Sequence, residues 1–136
     1  MPKIEKILFL CVENTGRSQM AEGFFRKYAQ KFEVISAGTD PKSQIIPEVI
    51  LAMNEAGVDI TNQKPKLLSK EMIEHSTETV NMGCMNKKNC PSLFVKDVIE
   101  WDIADPKGKT INEIRIIRDQ IKSKVLTLIE KLEEDL

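Results

Sequence analysis

The sequence predicts an α/β protein: a four-stranded, parallel sheet between helical layers, a three-layer αβα arrangement. Two observations carry that expectation. Short apolar or alternating runs recur at residues 6–12, 32–38, 77–83 and 97–103, each of strand length. Longer amphipathic stretches lie between or after them, and strands alternating with helices require crossover connections, hence a sheet covered on both faces. Ligands of such sheets bind beyond the carboxyl ends of the strands. Cys11 and the segments after Gly38, Gly83 and Ile103 are therefore where a site is sought.

"KILFLCV" (6–12) reads as a buried strand, and "SQMAEGFFRKYAQ" (18–30) as a helix with Met20, Phe24 and Tyr28 on one face. "FEVISAG" (32–38) is a second strand closed by Gly38. "PEVILAMNEAG" (47–57) has proline at a helix start and glycine past its end. "LLSKEMIEHS" (67–76) reads as a short helix, and "TETVNMG" (77–83) as a strand made polar by Thr77, Thr79 and Asn81. "DVIEWDI" (97–103) alternates as a strand does. The last element, 110–132, is a long helix with Ile114, Ile117, Ile121, Val125, Leu128 and Leu132 on one stripe.

At 136 residues the chain is expected to form a single domain spanning residues 1–136, large enough to bury about two-thirds of its unfolded surface. Lys and Arg total 20 against 21 acidic residues, a balance that points to neither nucleic acid nor a membrane surface. The opening "MPKIEKILFLCV" has too short an apolar run for a signal peptide or a spanning helix, so a cytoplasmic location is expected. Three cysteines in a reducing compartment favour thiol chemistry over a disulfide framework.

The stretch "CVENTGRS" (11–18) joins a strand end to a helix start. Its backbone N–H groups, from Val12, Glu13, Asn14, Thr15 and Gly16 to Arg17 and Ser18, can curl around a tetrahedral oxyanion, and the helix adds its positive end. The same dipoles, with the Arg17 guanidinium and the Ser18 hydroxyl, favour a thiolate at Cys11, which makes that sulfur a nucleophile. Arg17 offers a fork matched to two oxygens of a phosphate-like anion. The plainer alternative, a buried small hydrophobe and a surface arginine, does not explain why strand end, glycine, arginine, serine and helix start coincide.

"CVENTGRSQMAEG", "ISAG" (35–38) and "WDIADPKGK" (101–109) together resemble the low-molecular-weight tyrosine phosphatases and the arsenate reductases built on their fold. The resemblance spans nearly the whole chain. It implies Cys11 as nucleophile, Arg17 as oxyanion binder, Ser18 as thiolate partner, Asn14 as loop organiser and Asp105 as the acid that protonates the leaving oxygen. Two positions depart from many members, which carry glycine where Glu13 stands and cysteine where Gly16 stands. Glu13 puts a negative charge on the loop rim, set against large acidic substrates. Some relatives hold potassium behind the loop with residues matching Asn14, Glu22, Ser36 and an aspartate; here Lys66 aligns with the aspartate, and its ammonium is expected to pair with Glu22.

"GCMNKKNCPS" (83–92) adds Cys84 and Cys90. In a rigid helix their Cα atoms would lie about 9 Å apart, beyond disulfide reach, so a bond between them requires motion, which Asn86, Asn89 and Pro91 make easy. A zinc site with His75 lacks paired Cys-x2-Cys spacing. The segment resembles the redox pair of thioredoxin-coupled arsenate reductases. That resemblance implies a relay: Cys11 forms a covalent arsenic adduct, Cys84 attacks Cys11, and Cys90 resolves Cys84 into an exposed disulfide. The expected protein is a monomeric arsenate reductase with no bound cofactor or metal. Its substrate is arsenate, with phosphate or sulfate as analogue, and thioredoxin or glutaredoxin is the external thiol reductant. The alternative is a low-molecular-weight protein tyrosine or small-molecule phosphatase using Cys11, Arg17 and Asp105.

Overall fold

A computed structural model describes residues 5–83 and 98–135. Four strands, β1 (Lys6–Cys11), β2 (Glu33–Gly38), β3 (Glu78–Asn81) and β4 (Val98–Glu100), form one parallel sheet in the order β2-β1-β3-β4. Between and after them come α1 (Arg17–Tyr28), α2 (Pro47–Glu55), α3 (Lys70–Glu74) and α4 (Ile111–Glu134). Alternation in β1 sends Ile7 and Phe9 to the face covered by α1, α2 and α4, where they join Met20, Phe24, Phe25, Met53 and the α4 stripe. Leu8 and Leu10 go to the other face with Ala37, Leu68, Met72 and Ile73 of the α3 side. The sheet is thus covered on both sides. Each fully buried Phe, Leu or Ile contributes about 1.5–3 kcal/mol, so the larger cluster supplies most of the stability.

The long C-terminal helix follows its sequence pattern closely. Thr110 caps it, accepting from the Glu113 N–H while Glu113 reaches back to the Thr110 N–H. All six expected stripe residues are buried, and Ile129 joins them. No helix among the described residues is long and apolar enough to cross a membrane.

Three expectations need correction. Tyr28 was expected on the buried face of α1 but is 37% exposed. Phe25 and Ala29 fill the inner positions instead, and the Lys27 and Lys122 ammonium groups lie over the Tyr28 ring, 5.6 and 5.7 Å from its centroid. Residues 67–69 are not helical: Leu67 bridges to Gly38 and the Leu68 N–H donates to the Gly38 carbonyl, so this stretch extends the sheet edge. Ser69 then caps α3 by accepting from the Met72 N–H. Finally, β4 ends at Glu100 rather than running on to Ile103. Past the bond from the Trp101 N–H to the Asn81 carbonyl, the chain leaves the sheet and turns toward β1.

Between β1 and β3 the connections diverge, since α1 leads from β1 to β2 on one face while the return to β3 passes α3 on the other. A crevice opens at such a switch point, beyond the carboxyl ends of the strands. Cys11 ends β1 there.

Candidate active site

The turn between β1 and α1 is organised by one side chain. Asn14 has φ 55, the left-handed region that asparagine enters more readily than most residues. Its Nδ2 donates to Ser18 Oγ at 2.7 Å and Ser36 Oγ at 3.1 Å. Its Oδ1 accepts from the Lys66 N–H at 2.8 Å and from Gln19 Nε2 at 3.1 Å. A fully buried amide with every donor and acceptor engaged fixes the turn, because losing any partner would leave a buried polar group unpaired.

Cys11 Sγ lies at the base of this turn, accepting from the Asn14 backbone N–H at 3.2 Å and 2.8 Å from Ser18 Oγ. Because Ser18 Oγ already accepts from Asn14, its hydrogen is free to point at the sulfur. The Asn14 N–H and the Ser18 hydroxyl thus both lie within hydrogen-bond distance of Sγ.

Arg17 opens α1 and is 9% exposed. Its Nη1 donates to the Ile103 carbonyl at 3.0 Å, and its Nη2 lies 3.9 Å from Asp105 Oδ2. Gly83, at the end of β3, rests directly on the guanidinium, where any Cβ would collide with it. The three strand-end segments singled out in the sequence do converge: Gly38 packs on Val12 and Asn14, Gly83 on Arg17, and Ile103 on Arg17. Cys84 and Cys90 lie outside the described residues.

Asp105 sits across from the sulfur on the β4–α4 segment, its side chain 57% exposed. The Lys107 N–H donates to its Oδ1 at 3.0 Å. Pro106 is buried against Gly16, where a Cβ would come within 2.6 Å of its Cγ. A larger residue at Gly16 would push the two loops apart. A cavity of about 160 Å3 lies between the loops, lined by Cys11, Arg17 and Asp105 with Glu13 and Lys107 at its rim. That is well below the ~300–1,000 Å3 of drug-sized ligand sites. A larger open groove of about 600 Å3 on the β2 side has no cysteine, serine or threonine among its lining residues.

Behind the turn, Glu22 Oε1 accepts from both the N–H and the hydroxyl of Ser36 at 2.8 Å, and Oε2 accepts from Arg26 at 2.9 Å. Lys66 Nζ stands 3.6 Å from Oε1, as expected from the sequence. An ammonium already faces this carboxylate, so the residues present do not fit a potassium ion.

Sequence reasoning missed Gln19, Gln63 and Lys107. Gln63 braces Gln19, which in turn holds the Asn14 carbonyl, and Lys107 reaches Glu13. Only proximity in space reveals these; the one sequence hint was the lysine two residues after Asp105.

Residues 6–136 match the family described as low molecular weight phosphotyrosine protein phosphatase. An arsenate reductase of Staphylococcus aureus strain Newman is 38% identical over 118 residues, covering 85% of this chain and 89% of its own length. Among solved structures, the thioredoxin-dependent arsenate reductase of Corynebacterium glutamicum superimposes with a TM-score of 0.83 at 31% identity, covering 98% of this chain and 64% of that one. The arginine phosphatase YwlE of Geobacillus stearothermophilus gives 0.84 at 28% identity, covering 96% and 94%.

Proposed function

We propose, from the premise that this chain belongs to the low molecular weight phosphotyrosine protein phosphatase family, that it is an arsenate reductase. Cys11, Arg17 and Asp105 form the adduct, and Cys84 and Cys90 complete the reduction. The carrying observation is the Cys11 sulfur at the floor of a small cavity, with the Asn14 N–H and Ser18 hydroxyl on it and Arg17 beside it. Arsenate docks on the turn amides and Arg17. The Cys11 thiolate forms an S–As bond as one arsenic–oxygen bond breaks, and Asp105 gives its proton to the departing oxygen.

The thiols then act in turn. Cys84 attacks Cys11, an S–S bond forms, and the S–As electron pair stays on arsenic, which leaves as arsenite. Cys90 attacks Cys84 and frees Cys11 as thiolate, leaving a Cys84–Cys90 disulfide for thioredoxin or glutaredoxin to reduce. Gly83, the last described residue before Cys84, rests on the Arg17 guanidinium. In this reading the enzyme needs no bound cofactor and works as a cytoplasmic monomer.

A second reading, hydrolysis of a phosphorylated substrate by Cys11, Arg17 and Asp105, is favoured by the likeness to the arginine phosphatase. One experiment separates them: arsenate turnover with each reductant, with disulfides mapped after a single turnover. Cys90→Ser should release one equivalent of arsenite and stall as a Cys11–Cys84 disulfide. Cys84→Ser should stop before arsenite appears yet still hydrolyse an aryl phosphate, since water completes that reaction. Wild-type turnover by both variants would reject the relay in favour of the phosphatase reading.

A further inference from the structure

The two loops over Cys11 are bridged by a pair of charges that neither the nucleophile nor the acid explains. Lys107 Nζ reaches Glu13 Oε2 at 3.1 Å, across from the β4–α4 segment to the β1–α1 turn. Both line the cavity, and both are more exposed than its floor: their side chains are 62% and 22% exposed, against 10% for Arg17. The pair therefore stands at the rim. Pro106, packed on Gly16, fixes the spacing between the loops and holds the next residue, Lys107, opposite Glu13.

Exposed ion pairs add little to folding stability, but this one changes the charge of the cavity. Its lining holds two acids, Glu13 and Asp105, and two bases, Arg17 and Lys107. With Asp105 holding the proton it donates, Glu13 alone would cancel Arg17 if Lys107 were absent, leaving no net positive charge in a site that must accept a doubly charged oxyanion. We propose that Lys107 is a further substrate-binding residue: its ammonium neutralises Glu13 at the rim and supplies the second cation that lets the cavity take a small dianionic oxyanion.

The inference rests on the reading of the Cys11 cavity as an oxyanion site, and inorganic phosphate is the probe because its binding needs no reductant and no turnover. Phosphate affinity of the full chain is measured by calorimetry at low ionic strength. Lys107→Met should weaken it about three- to tenfold, Glu13→Gln should tighten it by a similar factor, and the double variant should return close to wild type. Lys107→Arg should keep wild-type affinity. The differences should shrink as salt is raised and the Debye length falls toward about 3 Å near 1 M. A bridge that merely ties the loops together predicts instead that both single variants weaken binding. Equal weakening by the two, or no change in either, overturns the role of Lys107 while leaving the oxyanion site standing. Absence of saturable phosphate binding by the wild-type chain rejects the oxyanion reading and this inference with it.

Discussion

The β1–α1 turn and the β4–α4 segment meet over one sulfur but are built in opposite ways. From Asn14 to Gln19 every residue of the turn is buried, and the Asn14 side chain alone ties together Ser18, Gln19, Ser36 and Lys66. Asp105, across the cavity, is largely exposed and accepts one hydrogen bond from its own loop. The difference fits the two tasks proposed for them. A nucleophile and its anion cradle lower a barrier only if their dipoles are already aimed before reaction, whereas an acid must exchange its proton with solvent on every cycle.

The largest effect should come from the buried side. Cys11→Ser is expected to abolish both arsenate reduction and aryl-phosphate hydrolysis, because both begin at this sulfur. Steady-state assays of the two reactions check it, and normal hydrolysis by the variant would remove the nucleophile assignment. On the exposed side, Asp105→Asn should leave the nucleophile in place yet slow aryl-phosphate hydrolysis by ~10²–10⁴-fold, since the leaving oxide loses its proton donor. A loss of less than about threefold would mean that another group, or water, supplies the proton.

Stability should reverse that symmetry. Asn14→Ala strands buried partners at Ser18, Ser36 and the Lys66 N–H and puts alanine at φ 55, so a loss of about 2–4 kcal/mol is expected in urea unfolding. Asp105→Asn should stay within about 0.5 kcal/mol, as exposed substitutions usually do. Comparable losses in the two variants would erase the distinction between a rigid cradle and an open acid loop.

The same contrast explains what could be read from the sequence. Cys11, Gly16, Arg17 and Ser18 were legible because strand end, turn and helix start are contiguous, and contiguous chain supplies both the sulfur and its donors. The α4 stripe was legible because its period is regular and Thr110 and Glu113 mark its start. The contacts that close the site were not, because they join residues far apart in sequence: Pro106 with Gly16, Gly83 with Arg17, Lys107 with Glu13. Leu67 and Leu68 suit either a helix or a strand periodicity, and the bond to Gly38 that places them at the sheet edge is also long-range.

The smallest expected effect probes the support behind the turn. Lys66 contributes twice, through a backbone N–H to Asn14 Oδ1 and through an ammonium 3.6 Å from the buried Glu22 carboxylate. Oxygen ligands free to coordinate a cation are what a potassium site would require, yet Glu22 Oε1 is occupied by both donors of Ser36 and faced by Lys66. The positive charge that this carboxylate needs is thus covalently attached to the chain. Activity is therefore expected to be equal in potassium and sodium at matched ionic strength, where only general screening acts. Rates compared in the two chlorides, with tetramethylammonium chloride as a third arm, test this. Marked activation by potassium over the other two would show that Lys66 yields its place to the ion, and that the turn is less completely fixed by the chain's own side chains than its hydrogen bonds imply.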